Sequence, residues 1–244
     1  MRDAENCATL QDPVAAYDRI AGSFPRLSEQ RRAYLDRVER LVISAIPAHR
    51  RSLLDIGAGE GSRACRIAQA AGLEQTVLLE PSAPMRKSWP AGVVEWAIRA
   101  EDLRERQGQF DAITCLWNVL GHIFPEAARC EVLRQSKRLL APGGRIFIDV
   151  NHRYNLRHYG LMRTALRFLR DHIWPDRRGG DVVVTWETDR GPCQTRGHVF
   201  TGGEFSRLCR TAGLTIERRY VVDYATGAVR KWSFAGNLLY VLRA

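Results

Sequence analysis

The sequence predicts an α/β fold built on a parallel β-sheet with helices on both faces. Three observations predict it. From residue 52 onward, short apolar runs alternate with segments of helical periodicity. The runs are apolar at nearly every position, as strands buried on both faces must be. The first run, "SLLDIG", passes directly into the glycine-rich turn "GAGEG" and then a helical segment. In open α/β sheets, the carboxyl end of a strand followed by such a turn is where ligands bind.

The elements follow in order. In "LSEQRRAYLDRVERLVISAIP", apolar residues at Tyr34, Leu35, Val38, Leu41, Val42 and Ala45 recur with a helical period. Ser28 is the expected N-cap and Pro47 the stop. "SLLDIG" is a buried strand, and "GSRACRIAQAAG" is a helix ending at Gly72. "QTVLLEP" is the second strand, followed by a short helix in "SAPMRKSW". "GVVEWAIRA" is the third, with a turn around "EDLRERQGQ", and "FDAITCLWNV" is the fourth. "PEAARCEVLRQSKRLLAPGG" is a helix opened by Pro125 and closed by Pro-Gly-Gly, and "RIFIDVN" is the fifth strand. The segment 152–180 then breaks the alternation: "RHYGLMRTALRFLRDHIW" reads as one amphipathic helix. "DVVVTWETDRGPCQTRGHVFT" reads as two strands joined at Arg-Gly-Pro. "GGEFSRLCRTAG" is a helix. The strands "LTIERRYVVDY" and "NLLYVLRA" follow with no helix between them, so they are expected to pair antiparallel.

The chain has 244 residues, 45% hydrophobic and 26% charged, enough to bury a full core. It contains no apolar run of about 18 residues that would span a membrane. "MRDAENCATLQDP" lacks an apolar stretch of signal-peptide type, so the expected location is cytoplasmic. The cysteines at 7, 65, 115, 130, 193 and 209 form no CxxC pair and no zinc-type cluster; free thiols and no metal are expected. The net charge of +10 suits nucleic acid, an anionic lipid surface or an acidic small molecule. Only three of the 37 basic residues are lysine, an arginine bias that genome composition also produces.

The glycine turn admits two registers. From Gly59, "GEGSRA" matches a dinucleotide fingerprint; from Asp55, "DIGAGEG" is D-x-G-x-G-x-G. The acidic positions separate them. Asp55 at the strand end would repel a pyrophosphate and suits a cationic ligand. Glu80, ending "VLLEP", is placed to accept charge-assisted hydrogen bonds from a ribose diol. Glu101 and Asp102 in "RAEDL" follow the third strand, where an adenine amino group needs an acceptor.

On these residues the chain resembles the class I S-adenosylmethionine-dependent methyltransferases. Five motifs occur in order: "LLDIGAGEG", Glu80 in "VLLEP", "AEDL", "FDAITCLWNVLGHI" and "LLAPGGRIFIDV". The resemblance spans residues 50–150, with the final helix and two strands in outline. It implies a Rossmann-like seven-stranded sheet with its last strand antiparallel, an N-terminal helical cap over residues 1–50, and a methyltransferase domain over 51–244. A substrate-lid insert after the fifth strand covers about 152–200. The cofactor implied is S-adenosylmethionine. Gly57, Gly59 and Gly61 would let the backbone approach its methionine part, and Asp55 would help hold the amino end. Glu80 would bind the ribose, and Asp102, with Glu101 beside it, would face the adenine.

No catalytic residue is diagnostic. "WNVL" stands where enzymes acting on exocyclic base amines carry N/D-P-P-Y/F, and Cys115 lies inside an apolar strand, so it reads as core. His122 in "NVLGHI" is the general-base candidate, its ordinary pKa suiting proton removal near neutrality; the alternative is a packing histidine. Asn118 is a candidate for orienting substrate or cofactor, and Trp117 for packing on the cofactor. "AYDRIAGSF" resembles the lid start of small-molecule and quinone methyltransferases, making Tyr17 a second candidate beside the methyl group. Residues 152–178 hold seven arginines and two aspartates, either a solvated lid face or recognition of an acidic group. His152, Arg153, Tyr154, Asn155, Tyr224 and Arg230 are the expected substrate rim.

The leading expectation is methyl transfer to an N or O atom of a small molecule, acidic or biosynthetic in origin. An RNA (tRNA-type) methyltransferase using the basic insert is the alternative. An NAD-dependent oxidoreductase would leave "DIG", "AEDL" and the reversed last strand unexplained, and a non-catalytic cofactor-binding protein remains the last. The oligomeric state is left open.

Overall fold

The computed structural model describes residues 12–174 and 179–244. Cys7, the first eleven residues of the expected cap and residues 175–178 of the insert lie outside the described residues.

The described residues open with three helices, α1 (Pro13–Ile20), α2 (Phe24–Glu29) and α3 (Arg32–Ala45). Asp12 caps α1 by accepting from the Val14 backbone N–H at 2.9 Å. Ser28 does not cap α3. It lies inside α2, where its hydroxyl donates to the Pro25 carbonyl at 2.9 Å, and α3 starts only after the break at Gln30 and Arg31. The apolar face of α3 buries Tyr34, Val38 and Val42 on the sheet.

The alternating part contains β1 (Ser52–Ile56), α4 (Ser62–Ala71), β2 (Gln75–Leu79), α5 (Ala83–Arg86), β3 (Val94–Trp96) and β4 (Phe110–Cys115). It continues through α6 (Glu126–Arg138) to β5 (Leu140–Val150). The third strand is shorter than its apolar pattern suggests, because the chain turns at Ala100–Glu105 into a 3₁₀ segment. Pro-Gly-Gly does not close α6. The helix stops at Arg138, and residues 140–144 already run with the sheet, the register slipping between Phe110 and Ala112.

The insert follows β5. Gly160 splits the expected single helix into α7 (Leu156–Tyr159) and α8 (Leu161–Ile173). β6 (Asp181–Thr188) and β7 (Gly191–His198) form a separate two-stranded hairpin whose turn is Asp189–Arg190; Gly191 and Pro192 belong to β7 rather than to the turn. The chain ends with α9 (Gly202–Thr211), β8 (Thr215–Val222), β9 (Val229–Arg230) and β10 (Asn237–Arg243). Thr201 and Glu204 cap α9 reciprocally.

The main sheet has the order β3-β2-β1-β4-β5-β10-β8-β9. β1 to β5 are parallel, and β10 runs antiparallel between β5 and β8. The late antiparallel strand is thus as expected. Among the described residues the sheet has eight strands rather than seven, because the two-residue β9 adds an edge to β8. Both faces are covered, which explains the continuous apolar strands. Leu54 and Ile56 of β1 pack toward α6 and α9, and Leu53 packs toward α3 and α4. The chain moves outward from β1 through β2 to β3, then returns to β4 on the other side of β1. A crevice opens at the carboxyl ends where the strand order reverses.

Candidate active site

The crevice has a volume of about 740 Å³, within the roughly 300–1,000 Å³ of small-molecule sites. Its floor is the turn after β1, and its walls come from the ends of β2, β3 and β4. α1 and α2 close over it through Tyr17 and Phe24.

The turn has the shape its glycines allow. Gly57 sits at φ +72°, and a Cβ there would meet Val119 at 2.5 Å, so the 3₁₀ turn after β4 presses directly on it. Gly59 lines the crevice, and a Cβ on it would reach the Phe24 ring at 3.4 Å, filling the gap between floor and lid. Gly61 serves packing instead. It lies outside the crevice lining, and a Cβ would meet Trp89 at 2.8 Å and Leu78 at 2.9 Å.

Glu80 stands in the crevice at the end of β2. Its carboxylate accepts from the Gly59 backbone N–H at 3.0 Å and from the Ser82 backbone N–H at 2.9 Å. No cationic side chain pairs with it among the described residues. Burial pushes its pKa up, and the two backbone donors work against that. The remaining lone pairs are available to a donor pair in the crevice. Ser82 in turn donates to Asp18 at 2.6 Å, tying the lid helix to this strand end. Arg99 pairs with Asp12 at 2.8 Å, tying the start of α1 to the segment after β3.

The three expected carboxylates do not share the crevice equally. Glu101 lines it; Asp102 does not. The segment is a 3₁₀ turn, where successive side chains diverge by about 120°, so one of the two neighbours faces away. Asp55 lies beneath the floor, 1% exposed. It accepts from Thr114 Oγ1 at 2.6 Å, and its other oxygen is buried without a partner among the described residues. Burial pushes its pKa up, and the charge of Arg63 pulls it down. Arg63 itself lines the crevice, whereas Asp55 does not.

Trp117 and Asn118 both have left-handed backbone, at φ +63° and +59°. Buried Asp149 accepts from the Trp117 backbone N–H and from the Tyr34 hydroxyl, the latter at 2.5 Å. The Trp117 ring lines the crevice and meets Phe24 edge-on at 5.3 Å. Asn118 faces elsewhere. Its amide is spent on the backbone, accepting from Asn151 N–H at 3.0 Å and donating to the His198 carbonyl at 3.3 Å. It joins the ends of β4, β5 and β7 and does not line the crevice.

His122 lines the crevice, edge-on to Tyr17 at 5.6 Å. Its Nδ1 meets the Arg196 carbonyl at 3.1 Å. A carbonyl only accepts, so the proton sits on Nδ1 and Nε2 carries the lone pair. Burial holds its pKa below the ordinary histidine value, so the ring is neutral near pH 7. Burial, then the charge of Glu80, pushes the Tyr17 phenol up. Tyr17 therefore keeps its proton near neutrality.

The expected substrate rim is not brought to this crevice. His152 is buried against Tyr154 and Phe234. Arg153 forms a buried ion pair with Asp171, to which Tyr154 also donates at 2.7 Å. Asn155 donates to Asn237 at 3.1 Å. Arg230 pairs with Asp223. Tyr224 packs on Tyr34 and accepts from Trp117 Nε1 at 3.4 Å behind the wall. These side chains hold α7, α8 and the last strands together. Arg63, Phe24, Phe124 and Asp149 were the residues sequence reasoning missed. For Asp149 the signal was a single acid in the apolar strand "IFIDV".

Among the described residues, no group of three or more His, Cys, Asp and Glu side chains is placed to hold a metal ion. No helix among them is long and apolar enough to cross a membrane.

The comparisons agree with this geometry. A family model described as a methyltransferase domain matches residues 27–218. No curated protein sequence matches the chain significantly. Among solved structures, the CcbJ methyltransferase from Streptomyces caelestis is similar over 96% of this chain and 99% of its own, at 17% identity and a TM-score of 0.69. A 1,6-didemethyltoxoflavin N1-methyltransferase from Burkholderia thailandensis is similar over 94% and 88%, at 18% identity and a TM-score of 0.58. CalS10, an amino pentose methyltransferase from Micromonospora echinaspora, is similar over 86% and 92%, at 17% identity and a TM-score of 0.55.

The fold is that of the class I methyltransferases. The chain belongs to the methyltransferase-domain family and is an S-adenosylmethionine-dependent methyltransferase. The crevice fits that cofactor. An acceptor-only carboxylate, Glu80, stands over a glycine floor whose added Cβ would fill the gap. A pyrophosphate fits poorly: Glu80 and Glu101 line the crevice, and the Gly59 N–H that would cradle a phosphate already donates to Glu80.

Proposed function

We propose that this enzyme methylates an N or O atom of a small molecule, with His122 as the general base. The observation that carries the reading is that His122 and Glu80 line one crevice of small-molecule size, roofed by Tyr17 and Phe24. In it, the helices of residues 12–50 act as a cap on the domain 51–244, and the insert 152–200 contributes through the hairpin that touches α1 and His122.

When bound, the cofactor supplies a sulfonium-activated methyl group. Glu80 would accept from its ribose hydroxyls, Glu101 would stand on its adenine side, and Gly57 and Gly59 would let the backbone approach. Asp55 and Arg63 form the charged floor below its amino-acid end. Trp117 and Phe24 exclude water, and the Trp117 face suits a cation. The chain's main contribution is to hold the acceptor in line for attack, which supplies roughly 7–11 kcal/mol. His122 Nε2 takes the acceptor's proton, and the Arg196 carbonyl keeps Nδ1–H oriented and steadies the imidazolium that results. Tyr17, held protonated beside His122, donates to the acceptor.

The printed names of two neighbours, an amino pentose and a toxoflavin-type N-methyltransferase, describe small-molecule acceptors and support this class. The RNA alternative draws no such support: the basic insert turns apolar side chains outward.

The test is a labelled-methyl assay on a cell extract split into small-molecule and RNA fractions. Label in the small-molecule fraction is expected, and label confined to RNA would favour the alternative. Titration with S-adenosylhomocysteine and NADH should show binding of the first only.

A further inference from the structure

Helix α8 is amphipathic in the inverted sense. Its polar side faces the domain and its apolar side faces solvent. Buried Thr164 marks the inner face. Asp171, one helical repeat on, is held by Arg153 and by the Tyr154 hydroxyl at 2.7 Å. Phe168 meets Tyr154 at 5.4 Å, and Arg167 lies over the Tyr159 ring at 4.3 Å. These contacts fix the rotation of the helix. The outward line is Met162, Leu166, Leu169 and Ile173, spaced 4, 3 and 4 apart, at 76%, 61%, 55% and 58% exposure. Trp174 closes the helix at 71%. An apolar stripe of this size on a pinned helix marks a surface that another phase or molecule covers.

The charges decide which. Arg163 and Arg170, seven residues apart, run along one flank of the stripe, both exposed; Arg170 also lies 3.6 Å from Asp171 and donates to the Gly179 carbonyl at 3.4 Å. The only acid on α8, Asp171, is already paired. The whole chain carries +10. Two copies joined along this stripe would bring arginine flanks together with no free carboxylate on α8 to answer them. An anionic bilayer answers both features: apolar side chains and Trp174 enter the headgroup boundary while the guanidiniums meet lipid phosphates. We propose that α8 docks the enzyme peripherally on an anionic lipid surface. Docking leaves the crevice residues untouched, since α8 contributes none of them, and the proposal does not depend on which acceptor is methylated.

The experiment is co-sedimentation of the full chain with phosphatidylcholine vesicles and with vesicles containing one-third phosphatidylglycerol. Binding to the anionic vesicles alone is expected, weakening several-fold between low and physiological salt. Leu166→Ser/Leu169→Ser should reduce binding at least ten-fold, and Arg163→Gln/Arg170→Gln several-fold. Both pairs lie on the solvent face, so circular dichroism and S-adenosylhomocysteine affinity should be unchanged. Trp174 emission should shift to the blue on binding. Equal binding of neutral vesicles, or no vesicle binding, overturns the proposal. A dimer in solution that Leu166→Ser/Leu169→Ser converts to monomer also overturns it, assigning the stripe to a second copy.

Discussion

The carboxylate of Glu80 accepts the backbone N–H of Gly59 at 3.0 Å, so the end of β2 is fastened to the turn after β1. This contact spends the donor a phosphate would need and leaves an acceptor facing the crevice. It connects the glycine turn, common to many nucleotide sites, to one kind of ligand.

Glu80→Ala should therefore weaken S-adenosylhomocysteine binding by roughly 1.5–3 kcal/mol, the worth of charge-assisted hydrogen bonds. Isothermal titration should read this as roughly a ten- to hundred-fold rise in Kd. Unchanged affinity would mean the ribose lies elsewhere.

Gly57→Ala should destabilise the fold. The residue sits at φ +72°, and its new Cβ would overlap Val119 at 2.5 Å. Left-handed strain of about 1–2 kcal/mol and overpacking of about 1–3 kcal/mol act together. Urea unfolding should show a lower midpoint with an unchanged slope.

The pH dependence of turnover should carry His122. Burial lowers its folded pKa, so the neutral, proton-accepting ring persists below pH 6.5 and is lost only as pH falls further. The acid limb of kcat should accordingly have its midpoint below 6.5. His122→Gln should lower kcat with cofactor affinity retained. A variant with parental turnover at every pH would remove His122 from the chemistry.

His152 makes a separate prediction about stability. Burial brings its pKa down to about 4, against an ordinary value of 6.5. Between those values the unfolded chain takes up a proton that the folded chain refuses. Stability from this site is complete above pH 6.5 and falls as pH drops toward 4. At 1.36 kcal/mol per pKa unit, the loss is roughly 2–3 kcal/mol by pH 4.5. His152→Phe should flatten the pH dependence of unfolding by that amount, and an equally steep dependence in the variant would refute it.

Asp171→Asn removes the partner of Arg153, whose side chain is only 5% exposed. Leaving that guanidinium buried and unpaired should cost roughly 3–5 kcal/mol. Thermal unfolding of the variant against the parent checks it.

Much of the fold could be read without coordinates. The apolar runs named the strands of the parallel sheet because burial on both faces leaves no polar alternation. The absence of a helix between the last two long strands foretold their antiparallel pairing. What misled were local signals that tertiary contacts outweigh. Ser28 has the chemistry of a cap, but its hydroxyl bonds Pro25 inside another helix. Gly160 stands within a continuous helical pattern, yet the chain breaks there. The acids 101 and 102 are adjacent in sequence, and a 3₁₀ turn sends them to different places.

The sheet, the glycine turn and the carboxylate at the end of the second strand are legible in the residues alone, because each depends on neighbours within a few residues or on burial periodicity. The packed fold is what commits Asn118 and the basic rim residues to tying elements together. It alone decided that His122 takes its proton orientation from Arg196, 74 residues away. It also decided that α8 turns its apolar side to solvent. Such roles depend on which distant backbone or side chain reaches a polar atom first, and a linear pattern does not record that competition.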